Sequence, residues 1–275
     1  MTRRALARVW IYLAALAAFL FFAAPLVWMV STAFKTQAEW FTMPPRLLPA
    51  HPTLDNFVKL GSTNFPRYFL NSALVGLLAA ILTIVIAVGA AYAMTFLRFR
   101  GRSSLIAVIL LTQLLPSAVI VLPLYSTAAA FHALDSLATL AVAYMSFTTP
   151  VAVWLLIGFL THLPVELQEA AQVDGCTKFG AFRRVMLPLA APGILATAVY
   201  AFFASWQEFL LALTFLTTKT NLTLPIGILS FIGQYTTDWG QMMAAAFVLT
   251  IPLFVIFGAL QRYLIAGLSA GAVKG

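Results

Sequence analysis

The chain has 275 residues, 62% of them hydrophobic and only 9% charged, with a formal net charge of +8 and a mean hydropathy of +0.97. A water-soluble domain of this length needs far more charge to cover its surface, so the composition belongs in lipid. The basic residues are scattered through loops without interleaved aromatics, which argues against nucleic acid as a partner, and the lone Cys176 excludes an intrachain disulfide or a cysteine-based metal cluster.

Residues 1–10 carry Arg3, Arg4 and Arg8 ahead of an apolar run from about Ile11 to Ala33. That run is too long for a signal-peptide core and lacks a small-x-small exit, so it reads as a retained first span. From Phe34 to about Tyr68 the prolines 44, 45, 49 and 52, with Glu39, Asp55, Lys59 and Arg67, predict a loop, with Trp40 and Phe41 suited to a headgroup boundary. A second span covers about Phe69 to Leu97 and stops at the basic Arg98–Arg102. The third runs from roughly Ser104 to Thr127, interrupted by Pro116 with Gln113 one turn earlier; the fourth, from about Leu137 to Leu160, follows a connection holding His132 and Asp135.

Residues 161–188 form a polar hinge, the fifth span takes in about Leu189 to Leu216, 219–240 is a loop, and a sixth span covers about Gln241 to Ile265. Each apolar run is about twenty residues or longer, enough to cross roughly 30 Å of hydrocarbon as helix. Period-two alternation, the mark of a membrane barrel, is missing. His51, His132 and His162 lie far apart without helical partners, so no metal site is expected. The prediction is an all-α integral membrane protein: a cytoplasmic N-terminus (1–10), a six-span domain (11–265) and a cytoplasmic tail (266–275).

Basic residues set the orientation. With the N-terminus inside, the cytoplasmic segments hold eleven of the sixteen Lys and Arg: Arg3, Arg4, Arg8, Arg98, Arg100, Arg102, Lys178, Arg183, Arg184, Arg262 and Lys274. The hinge then faces the cytoplasm.

Within the hinge, Pro164 suits a first helical turn and Glu166 places a carboxylate near its positive end. Asp174-Gly175 supplies a left-handed helix stop, and Thr177 can cap a second helix in which Phe179, Phe182, Val185 and Met186 recur at helical spacing. The residues leave two readings open: a docking element for a partner's groove, or a loop folded back on the membrane surface.

Glu169-Ala170-Ala171-x-x-Asp174-Gly175, followed by Phe182 and Leu187-Pro188, resembles the EAA motif of binding-protein-dependent ABC importer permeases. Asn71-Ser72, Ser205-Trp206-Gln207-Glu208-Phe209 and the ending from Gln261 to Gly275 extend the resemblance to the maltose-type sugar permeases. Cys176 departs from it, standing where the family usually has alanine. The resemblance implies a type I ABC importer permease fold with a cytoplasmic coupling-helix loop over 164–188. Its implied partners are a homologous second permease subunit, two ATP-binding subunits, an extracytoplasmic solute-binding protein and a sugar, in a bacterial or archaeal inner membrane. It assigns ATPase coupling to Glu169, Ala170, Ala171, Asp174, Gly175, Phe182 and Pro188, and a tail contact with the ATPase to Gly271, Lys274 and Gly275.

The chain carries no G-x-x-x-x-G-K-[ST], so no cofactor is expected on it, and ATP and Mg belong to the partner subunits. No catalytic constellation stands out, which ranks a membrane enzyme last. A secondary transporter remains the alternative, although neither a clear duplication nor a set of ion-coupling groups supports it. An acid inside a span is costly, so Glu208, with Ser205, Gln207 and Gln113, is a candidate for the pathway or a subunit interface.

Overall fold

The computed structural model describes residues 3–233 and 235–272, with side chains from Trp10 to Gln261 apart from residue 234. The helices in chain order are α1 (Arg3–Ala33), α2 (Asp55–Gly61), α3 (Phe65–Phe96), α4 (Arg102–Leu111), α5 (Ser117–Ala130), α6 (Leu137–Leu160), α7 (Val165–Val173), α8 (Lys178–Ala181), α9 (Leu187–Leu189), α10 (Ala191–Trp206), α11 (Leu210–Phe215), α12 (Leu224–Leu229) and α13 (Trp239–Ala272). Among the described residues there is no strand, only an isolated bridge between Ile232 and Thr237.

Among the described residues four helices, α1, α3, α6 and α13, are long and apolar enough to cross a membrane, and the number is up to six if each of two bent pairs, Arg102–Leu114 with Ser117–Ala130 and Lys178–Leu189 with Ala191–Trp206, is one span. The third predicted span differs most from a simple crossing. After α4 and a tight turn at Thr112–Leu114, the chain bends by 97° into α5. Pro116 has no N–H to give and forces Leu115 into extended backbone (ψ 125°), so the interruption is a break rather than a gentle kink. The helix that carries the sixth span continues past Ile265: α13 ends at Ala272, placing Gly271 in its last turn. Lys274 and Gly275 lie outside the described residues.

The chain divides into two compact units. One comprises Met1–Pro66 with Gly227–Pro252. Its predicted loop is a folded platform. Buried Lys35 donates to the Arg46 carbonyl at 2.6 Å and sits 4.3 Å from the Trp28 ring, so its charge is met by a carbonyl dipole and a π face. Asn56 donates to the carbonyls of Ala33 and Lys35, Glu39 accepts from the N–H groups of Ala50 and His51, and Phe57 packs between Phe34 and Phe247.

The other unit comprises Arg67–Ile226 with Leu253–Gly275. One apolar cluster joins Val75 and Ala79 of α3 and Val121 of α5 to Leu140 and Tyr144 of α6 and Leu211 and Phe215 of α11. A second joins Ala87 and Ala91 of α3 to Ala152, Leu156 and Leu160 of α6 and to Ala190. The many alanines let the helices approach closely, and a buried Thr83–Thr148 hydroxyl bond of 2.6 Å ties α3 to α6. At the start of α3, Asn71 donates to the carbonyls of Thr220 and Leu222 while Ser72 accepts from the Leu224 N–H. Those two residues therefore pin the 219–224 connection.

Candidate functional site

The hinge is a helix–turn–helix. Helix α7 ends in a Schellman arrangement: the Cys176 N–H donates to Ala171 O at 2.9 Å and the Gly175 N–H to Gln172 O at 3.1 Å. Gly175 occupies the left-handed region at φ +90°, the conformation this closure requires and one that L side chains rarely adopt. Thr177 then caps α8 by accepting from the Gly180 N–H at 3.0 Å. A wider π-helical turn over Phe182–Met186 and the short α9, which holds Pro188, lead into α10 across a 72° bend.

The fold sorts the predicted coupling residues into two sets. Glu169, Ala170, Asp174, Gly175 and Pro188 are exposed, whereas Ala171 and Phe182 are buried. Of the apolar residues expected on one face of the second helix, Phe182 and Met186 point inward, but Phe179 is 69% exposed. Val173, at the other side of the turn, is 87% exposed. Two bare apolar side chains flank a glycine turn whose added Cβ would meet nothing in this chain within 4 Å. The turn is thus a partly apolar, exposed knuckle. Spacing alone did not separate Phe179 from Phe182: their rings lie 6.3 Å apart on the same short stretch, and Phe182 is the one that packs on the Tyr92 ring of α3.

On the side facing the bundle, a cavity of about 1240 Å³ is lined by Arg98, Phe99 and Arg102 after α3, by Thr161–Val165, and by Glu166, Gln168, Glu169, Gln172 and Lys178 of the hinge. Gln168, buried in α7, donates from Nε2 to the Tyr92 hydroxyl of α3 at 3.2 Å.

The candidate pathway residues part company. Gln113 is exposed in the turn before Pro116. Ser205 is buried with its hydroxyl unpaired, and exposed Gln207 lines an apolar groove of about 590 Å³ between α6 and α10, bordered also by Phe257. Glu208 sits in a break of the fifth span, between α10 and α11. Its carboxylate accepts from the Leu211 N–H at 2.9 Å and the Ala212 N–H at 3.2 Å, so the acid caps α11 from within the chain. That local partner is how a carboxylate is accommodated between apolar helices.

The fold defines a polytopic helical membrane protein with an exposed helix–turn–helix between its spans. Comparison with known proteins gives its family. Residues 83–270 match the family described as binding-protein-dependent transport system inner membrane component, and the chain belongs to it. It is 36% identical to the diacetylchitobiose uptake system permease protein DasC of Streptomyces coelicolor, with 100% of both chains covered. It is 35% identical to the trehalose transport system permease protein SugB of Mycobacterium tuberculosis, over 91% of this chain and 92% of that one. A chain of a bacterial ABC transporter involved in alginate import has the same fold, with a TM-score of 0.82 at 16% identity over 96% of this chain and 98% of that one. The protein is thus a multi-pass inner-membrane permease subunit of type I ABC importer fold.

Proposed function

We propose that this chain forms one half of the translocation pathway of an ATP-driven carbohydrate importer, with both termini and the 164–188 loop in the cytoplasm. A homologous permease subunit completes the pathway, two ATP-binding subunits with their ATP and Mg supply the energy, and a solute-binding protein delivers the sugar from outside. The permease relatives named for diacetylchitobiose and trehalose support a disaccharide-sized glycoside as substrate.

The knuckle carries this reading. Ala170, Asp174 and Gly175, with Val173 and Phe179, form a surface left exposed by the described residues, and Glu169 borders it beside the cavity. An ATPase cleft closing on that surface moves α7 and α8 as levers, and the spans pass between two discrete packings rather than flexing.

Two variants at the turn separate docking from local strain. Gly175→Ala and Gly175→Asp both place a Cβ at φ +90°, a backbone cost of about 1–2 kcal/mol. A small methyl group leaves room in a partner's cleft and an aspartate does not. We expect Gly175→Ala to retain most ATPase-subunit binding in a co-purification and Gly175→Asp to lose it, with both inserted in the membrane. Equal retention by both variants refutes docking at the turn. A cysteine at Val173 in a Cys176→Ala background should crosslink to the ATPase subunit.

A further inference from the structure

The hinge is gripped from inside the bundle by Tyr92, a residue of a span far away in sequence. Tyr92 lies one turn before the end of α3. Its hydroxyl accepts from Gln168 Nε2 at 3.2 Å, and its ring lies 4.3 Å from the Phe182 ring at an interplanar angle of 44°. Gln168 belongs to the helix before the glycine turn and Phe182 follows the helix after it. Tyr92 therefore touches both arms of the knuckle at once, while Phe96, 5.3 Å away, backs it from its own helix.

The choice of Gln168 supports a purpose beyond filling space. It is 7% exposed, and its Oε1 has no hydrogen-bond partner. A leucine or methionine would occupy the position without leaving a buried acceptor unpaired, which is normally avoided. Among the described residues the amide's Nε2 donates to the Tyr92 hydroxyl, and that bond is directional. Covalent continuity already ties the hinge to α6 and α10, the spans on either side; α3 has no such link.

We propose that Tyr92 is the positioning residue that couples the knuckle to α3, so that displacement of the docked hinge is transmitted to the second span as well as to its two neighbours in sequence. This rests on the docking reading above and adds to it a third driven helix and the side chain that drives it.

The test uses the assembled permease–ATPase complex in a Cys176→Ala background. One reporter, Leu97→Cys, sits immediately after α3; a second sample carries Val173→Cys for crosslinking to the ATPase subunit. Maleimide labelling of Leu97→Cys is compared with and without ATP, Mg and vanadate. With Tyr92 intact, the labelling rate should change at least threefold on trapping. Tyr92→Phe, which keeps the ring and loses the hydroxyl, should roughly halve that change, and Tyr92→Leu should abolish it. ATP hydrolysis and the Val173→Cys crosslink should persist in both, a separation that a merely structural role does not produce. A labelling change that survives Tyr92→Leu, or none with Tyr92 intact, overturns the role of Tyr92 while a retained crosslink leaves docking standing. Loss of the crosslink with Tyr92 intact overturns docking and this inference with it.

Discussion

The third and fifth spans are both broken, and they are broken differently. At Leu115-Pro116 the chain turns by 97° because proline removes a donor and bars helical backbone before it. α4 and the turn after it bury no residue, and no side chain caps α5. At Gln207–Phe209 no proline is present. There the Glu208 carboxylate holds the N–H groups of Leu211 and Ala212, α10 and α11 bury Trp206, Leu211 and Phe215, and the Tyr144 hydroxyl lies 3.5 Å from the Glu208 carbonyl. A break made by proline needs no tertiary support. A break held by a carboxylate cap depends on the side-chain bonds that satisfy the next helix's first N–H groups.

Substitutions sharpen this contrast. The largest effect should come from Glu208→Ala, which leaves two backbone donors without their acceptor in apolar surroundings; at about 1–3 kcal/mol for each, destabilisation of about 2 kcal/mol or more is expected. Thermal unfolding in detergent measures it, and Glu208→Gln, whose amide oxygen still accepts, should recover part of the loss. A fall no greater than that of an exposed substitution would show that the fifth-span break does not depend on its cap.

Next comes Gly193→Ala in α10. A Cβ there would lie 2.4 Å from Phe159 Cγ and 2.7 Å from both Cδ atoms, too close to α6 without displacing the ring. Overpacking of this kind costs about 1–3 kcal/mol. Phe159→Ala should rescue it in the double variant, and failure to rescue would locate the strain elsewhere.

A smaller, pH-dependent effect is expected at Asp135, which secures the connection before α6 to the chain after α11. The Thr218 hydroxyl and then its N–H hold the Asp135 carboxyl below the ordinary aspartate range, against some desolvation, with Thr217 N–H and Asn221 adding to the effect. A depressed pKa gives stability that is present above the unfolded value, about 3.9, and lost as pH falls through the folded one. Asp135→Asn should therefore lower the melting temperature near pH 7, where the carboxylate's contribution is present, and flatten the acid limb below about pH 4, where the parent chain loses that contribution. An unchanged acid limb would mean that the carboxylate's bonds contribute nothing.

The smallest effect is expected from Pro116→Ala. The residue is exposed and its surroundings bury nothing, so stability should stay within about 0.5 kcal/mol. A loss comparable to that of Glu208→Ala would erase the distinction between the two breaks.

The sequence by itself determined that the chain lives in lipid, roughly where its apolar runs lie, and that a helix–turn–helix interrupts them near Gly175. Hydrophobic run length, proline and the glycine stop act locally, so each can be read from a few neighbours. Only the tertiary structure decided which hinge residues face out. Phe179 and Phe182 look alike in sequence, and packing on the Tyr92 ring buries Phe182 while Phe179 stays exposed. It also decided that Glu208 is a helix cap and that Gln168 reaches Tyr92, 76 positions away. The Gln168 bond depends on how separate helices pack, and nothing in the local pattern around it encodes that partner; the Glu208 cap reaches only to Leu211 and Ala212, and what the structure adds there is the helix break that brings their N–H groups within reach.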